Sequence, residues 1–250
     1  RRTNGSTTLE AFSVKTVAGQ GIRLFCMQRT AKTAGGEHTK VEGGILSRVI
    51  PNEDTRKYCE LAAYYSEYYP GWGKLGPAQK DRYHLAAQAI IWEKLDSVTI
   101  EFYYNPRKVK NNNVEDWDYI DISKEKEAIK DKILYHNKKP SFNEKTLEAL
   151  KNASKPEQVF EYKDTNEVLN GYKVVSFGDG IKKVEIVGNK LRVVMKAKAE
   201  VGSNYQIKLQ RYNAETGTPK NMYYSSGTLQ DVYKFGKPDP VEATVTIKYG

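Results

Sequence analysis

The spacing of hydrophobic residues changes period twice along this chain, and that switch constrains the fold more than any other feature. Up to about residue 50 the apolar residues form short strand-like groups. Leu9 to Val17 and Gly21 to Met27 are separated by the turn signal Ala18-Gly19-Gln20-Gly21, and Thr33 to Gly44 reads as a glycine-rich loop. Helical spacing then takes over. Asn52-Glu53-Asp54-Thr55 supplies N-cap residues and early acids before Arg56 to Tyr69, where Tyr58, Leu61, Ala62 and Tyr65 share a face. Pro70-Gly71-Trp72-Gly73 stops that helix, and a second opens at Gly76-Pro77 and continues through Trp92 to about Leu95.

Val98 to Tyr104 has strand composition and ends at Asn105-Pro106, and Lys108 to Asp118 is a polar connection. A helix over Ser123 to Tyr135 places Ile129 and Ile133 one turn apart. A further helix is expected from the capping-box pattern Ser141-Phe142-Asn143-Glu144, carrying Leu147 and Leu150. Beyond Glu157 the period returns to two. Val184 to Met195 reads as a hairpin about Gly188-Asn189, Tyr205 to Tyr212 alternates, and Val241, Ala243, Val245, Ile247 and Tyr249 lie on one face of a final strand. The expected fold class is α+β: sandwich- or barrel-like strands from both chain ends with an inserted helical subdomain. We read one domain over 1–250, with a helical insert at 51–155 and a β part at 1–50 and 156–250.

The chain has 250 residues, enough for a core that needs no staples. Its net charge of +9 comes from basic residues spread along the chain, with only small clusters such as Arg107-Lys108-Val109-Lys110. Nucleic-acid binders concentrate charge on one face, so a nucleic-acid partner is not expected. No apolar run approaches the ~20 residues of a membrane helix, so no membrane insertion is expected. Arg1 to Glu10 lacks an apolar h-region, and the chain reads as a monomeric domain excised from a longer protein. His38, His84 and His136 fit no triad or metal spacing, and no phosphate-cradling loop is present, so no turnover enzyme, metal or cofactor is expected. The 18 tyrosines suit contact surfaces, with an apolar body and a wet tip.

Three residues carry the candidate chemistry. Gln88 shares a helix face with Leu85, Ile91, Trp92 and Leu95, which puts a carboxamide inside an apolar stripe and demands a specific partner. A bond to neighbouring backbone that orients the helix would satisfy it. Cys26 sits between Phe25 and Met27, where an inert buried thiol is the ordinary outcome. Gln230 lies in Leu229-Gln230-Asp231-Val232-Tyr233. A thiol and a carboxamide can condense with loss of ammonia into an internal thioester, and on chemistry alone Cys26 pairs with either glutamine. The second cysteine, Cys59, also allows a Cys26–Cys59 disulfide.

Taken in order, these motifs resemble the thioester domains of Gram-positive surface adhesins. Phe25-Cys26-Met27 is similar to the family's cysteine motif, Ala87-Gln88-Ala89-Ile90-Ile91-Trp92 to its mid-chain helix motif, and Leu229-Gln230-Asp231-Val232-Tyr233 to its late glutamine motif. The tyrosine-rich first helix and its Gly/Pro loop, Leu61 to Gly73, also look like the family. Ala87 stands where the family has threonine and Ile90 where it has alanine. Tyr58-Cys59-Glu60 matches the cysteine motif less well, with glutamate in a hydrophobic position.

The resemblance implies a thioester between Cys26 Sγ and the side-chain carbonyl carbon of Gln230, with Gln88 and Trp92 in support. Gln206 and Gln210 are competing acyl partners with poorer motif matches. It further implies a cell-wall-anchored bacterial surface adhesin that couples once, through an isopeptide bond, to a lysine of a host surface or extracellular-matrix protein, as a virulence function. The alternative is a non-covalent secreted carbohydrate- or protein-binding module with Cys26 and Cys59 disulfide-bonded or inert.

Overall fold

A computed structural model describes residues 2–3, 6–7, 15–16, 23–27, 39–41, 46–67, 72–104, 117–152, 154–155, 157–211, 222–225, 232–236, 238 and 240–250. The elements begin with β1 (Arg2–Thr3), β2 (Ser6–Thr7), β3 (Lys15–Thr16), β4 (Arg23–Cys26), β5 (Thr39–Val41) and α1 (Leu46–Val49). Next come α2 (Glu53–Glu67), α3 (Pro77–Asp96), β6 (Phe102–Tyr104), β7 (Asp118–Ile120) and α4 (Ser123–Asn137). Strands follow: β8 (Thr146–Ala149), β9 (Gln158–Lys163), β10 (Tyr172–Phe177), β11 (Ile181–Val187) and β12 (Lys190–Met195). The last are β13 (Asn204–Arg211), β14 (Met222–Ser225), β15 (Val232–Lys234) and β16 (Glu242–Tyr249). The mixture of helices and several sheets is the expected α+β class. No described helix is long and apolar enough to cross a membrane.

The chain divides into two compact units. The first is Arg1–Ile133 with Gly217–Pro238, and the second is Leu134–Thr216 with Asp239–Gly250. The first unit holds the five-stranded sheet β3-β4-β15-β14-β5, the pairs β1-β2 and β6-β7, and α1 to α3. Its helices start where the local chemistry says they should. The Thr55 N–H donates to the Asn52 side-chain oxygen at 2.8 Å, and Glu53 and Asp54 occupy the positive end of α2. Pro77 opens α3, and Ser97 closes it in the left-handed region (φ 53°) with its N–H on the Glu93 carbonyl. Asp121 caps α4 by accepting from the Ser123 N–H at 3.0 Å.

The second unit packs a four-stranded sheet, β10-β13-β16-β8, and a three-stranded sheet, β11-β12-β9, around one core that includes Leu169, Leu191, Ile207, Leu209 and Ile247. The expected hairpin and final strand are there as β11–β12 and β16. The helix expected after Ser141 is not. Thr146–Ala149 is a strand, β8, paired in parallel with Thr246–Tyr249 of β16. Leu147 and Ala149 alternate inward while Glu148 and Leu150 stay exposed, so the period of two buries Leu147 with Ala149 and leaves out Leu150, which a helix would have placed on the face of Leu147.

Strands β13 and β16 form a hairpin with an unusual tip. The Arg211 N–H donates to the Val241 carbonyl at 2.8 Å, and the chain between them carries β14 and β15 into the sheet of the first unit. Arg211 also ends α4: its guanidinium donates to the carbonyls of Tyr135 (2.6 Å) and Lys138 (2.8 Å) while lying over the Tyr135 and Tyr172 rings.

Candidate functional site

The site is built where α3 lies along β4. Residues 23–27 are short of polar side chains, and Leu24, Phe25, Cys26 and Met27 are all buried. Three side chains of α3 meet this strand in sequence. Asp81 pairs with Arg23 at 2.8 Å, the His84 ring lies 4.4 Å from the Phe25 ring, and Gln88 bonds the Cys26 backbone. From 81 to 88 the helix rises about 10.5 Å, and from 23 to 26 the strand rises about 10 Å, so helix and strand run parallel with matched repeat.

Gln88 answers the question its position in the apolar stripe raised. The Cys26 N–H donates to Gln88 Oε1 at 2.8 Å, and Gln88 Nε2 donates to the Cys26 carbonyl at 2.8 Å. The carboxamide thus makes the two bonds a neighbouring strand's peptide would make, across 62 residues of sequence. Both groups are wholly buried, so neither bond competes with water. With Oε1 and one Nε2 hydrogen spent on the backbone, Gln88 positions the cysteine, and a single N–H remains for any other task. One turn on, Trp92 is buried and packs against Phe102 of β6, with ring centroids 6.5 Å apart.

On the other side of the strand ladder, β15 pairs with β4 in the register Val232↔Cys26 and Tyr233↔Phe25. Phe235 adds an edge-on contact to Phe25 at 5.8 Å. Gln230 itself lies outside the described residues. The competing glutamines are on β13 in the second unit, where Gln206 is exposed and Gln210 donates to Glu242 at 3.5 Å.

His84, which sequence reasoning passed over, is wholly buried, and neither ring nitrogen has a hydrogen-bond partner among the described residues. Burial, reinforced by the cations of Arg23 and Lys234, lowers its pKa from 6.5 to about 3; the Leu24 backbone opposes the shift without reaching hydrogen-bond geometry. Arg23 and Lys234 are themselves paired, to Asp81 and Glu67. The signal available in the sequence was the four-residue step from His84 to Gln88. The unfolded chain takes up the imidazole proton near pH 6.5 and the folded chain only near 3. The folded state therefore holds fewer protons in that window, and stability falls as the pH falls through it, by up to about 1.4 kcal/mol per unit. Denaturation of wild type and His84→Phe at pH 7, 5.5 and 4.5 should show this slope in the wild type and a smaller one in the variant. Equal slopes would remove His84 as its source.

The cysteines are not joined to each other, which corrects the disulfide allowed by the sequence. Cys59 is buried in α2, and burial pushes its thiol up to about 12, with Glu60 adding to the shift and Lys94 opposing it. It stays protonated and unreactive at neutral pH.

This arrangement immobilises the backbone of one buried cysteine beside a paired strand. No protein-family model and no curated protein matches the chain. Among solved structures the chain is similar to the thioester domain of the Staphylococcus aureus TIE protein. The likeness has a TM-score of 0.57 and 22% identity, and covers 92% of this chain and 84% of that one. The chain has the fold of that thioester domain.

Proposed function

We propose that this chain, with the fold of a thioester domain, is a covalent adhesin domain in which Cys26 and Gln230 form an internal thioester. The observation that carries the reading is the clamp of Gln88 on the Cys26 backbone, in a strand whose partner residue is Val232. Two residues of chain span at most about 7 Å, so the Val232↔Cys26 register supports Gln230 as an acyl partner within chain reach of Cys26.

In formation, Cys26 Sγ bonds the Gln230 side-chain carbonyl carbon, the C–N bond breaks, and the nitrogen leaves as ammonia with the thiol proton. In capture, a neutral lysine amine attacks that carbon. The C–S bond breaks, and the amine proton passes to sulfur, leaving an isopeptide bond and a Cys26 thiol. The Gln88 clamp lets the cysteine enter this step with its backbone already ordered. Each molecule reacts once. The domain belongs on a bacterial surface, as part of a longer protein, and its partner is a host surface or matrix protein offering a lysine.

Intact mass tests this directly. The wild type should be one ammonia lighter than its sequence, and methylamine should restore and add mass. Cys26→Ala and Gln230→Ala should each carry the full sequence mass and take up no amine. A deficit that survives Gln230→Ala would move the acyl partner to another glutamine, Gln206 and Gln210 being the alternatives. A wild type of full mass that never adds methylamine sinks the proposal.

A further inference from the structure

The second unit carries a cleft of about 710 Å³, in the range of small-ligand sites, lined by β8, β9 and the loops that follow α4 and β9. It is built rather than incidental. Asp164, wholly buried, accepts from the Ser141 N–H at 2.8 Å and the Asn166 N–H at 2.9 Å through one oxygen. Its other oxygen accepts from Val168 (2.7 Å) and Leu169 (3.1 Å). The Thr165 N–H and hydroxyl both donate to the Ser141 carbonyl, at 2.7 and 3.0 Å. The two loops that form the mouth are therefore tied to one another, and a ligand would not have to order them.

Two half-buried rings, Phe142 and Tyr162, lie in the lining, and Tyr162 is fixed by its hydroxyl donating to the Glu148 carbonyl at 2.9 Å. Around them stand groups that accept and donate hydrogen bonds: the carboxylates of Glu144 and Glu167, with Asn143 and Thr165. Charge decides what such a lining can take. Glu161 is paired with Lys190 at 2.9 Å and Glu148 lies 3.7 Å from Lys248, while Lys163 also lines the cleft. The four carboxylates thus meet three ammonium groups, and one net negative charge is left. That is too weak a field to select a cation and offers an anion no attraction, and the lining is too polar for an apolar ligand. The carboxylates are not grouped to hold a metal ion among the described residues. A neutral polyhydroxylated ligand meets all these terms: its C–H faces pack on the rings, its hydroxyls donate to Glu144, Glu167 and the Thr165 hydroxyl oxygen, and they accept from Asn143 and Lys163.

We propose that this cleft is a binding site for a neutral saccharide, separate from the Cys26 chemistry. Saturation-transfer NMR on the Cys26→Ala chain, with maltotriose, chitotriose and N-acetyllactosamine as probes, tests it without interference from amine capture. At least one sugar should receive signal. The double variant Glu144→Ala/Glu167→Ala changes two exposed residues without ion-pair partners among the described residues and should fold normally while binding at least tenfold more weakly. Phe142→Ala should weaken binding similarly. The proposal is overturned if no sugar receives signal, if only N-acetyl-lysine methylamide binds, or if the double variant binds the sugar as well as its parent.

Discussion

Replacing Gln88 with leucine should lower the stability of the first unit by about 4 kcal/mol, since two buried backbone groups of Cys26 lose their partners at about 1–3 kcal/mol each. Leucine matches the volume and suits the apolar stripe, so packing loss is not the cause. All three tryptophans, Trp72, Trp92 and Trp117, belong to the first unit, so urea denaturation followed by tryptophan fluorescence reads that unit specifically. Gln88→Glu sharpens the test. As a carboxylate it has no hydrogen for the Cys26 carbonyl and buries a charge; as a carboxylic acid it offers one donor and one acceptor, as glutamine does. The introduced carboxyl's folded-state pKa is then raised, so its own contribution is greatest at acid pH and is lost as the pH rises through that value. His84, present in both proteins, slopes the other way, so the variant should lose less stability than wild type as the pH falls. A Gln88→Leu variant within about 1 kcal/mol of wild type would show that water replaces the carboxamide and that the clamp is dispensable.

The second large effect follows from the proposed cross-link. A Cys26–Gln230 bond closes a loop of some two hundred residues, and by analogy with disulfide loop entropy it contributes about 5 kcal/mol. Methylamine opens the bond without altering any other side chain. The intact and the amine-treated protein, each verified by mass, should therefore differ in fluorescence-detected stability by up to that amount. Cys26→Ala should resemble the treated form. If intact and opened protein unfold at the same denaturant concentration, the bond does not restrain the unfolded chain, and loop closure plays no part in stability.

Much of this was legible in the residues. The helices α2, α3 and α4 carried both period and caps, and Gln88 betrayed itself as a carboxamide on an apolar face. The strand β8 was not legible, because Ser141 to Glu144 offers a good capping box and only the parallel pairing with β16 decides for extended backbone. His84 was missed for a different reason. Its environment is set by Phe25, Arg23 and Lys234, which are local to it only in the fold. The partner of Gln88 was likewise out of reach: spacing shows that a buried amide needs a mate, not that the mate is the backbone of a cysteine 62 residues earlier. The cleft beside β9 depends on Asp164, whose sequence context, Lys163-Asp164-Thr165-Asn166, looks like an ordinary turn.

The Arg211–Val241 contact means that the chain departs from the second unit and returns to it at a single doorway. The segment between is in effect a cassette on loan, made by one unit's hairpin and worn by the other's sheet. A two-residue turn in its place would join 134–211 to 241–250 as one uninterrupted stretch with β13 and β16 still side by side. It would also take away β15, the strand opposite Cys26. The cassette could then be lengthened or exchanged as a part in its own right, with the second unit as its mount.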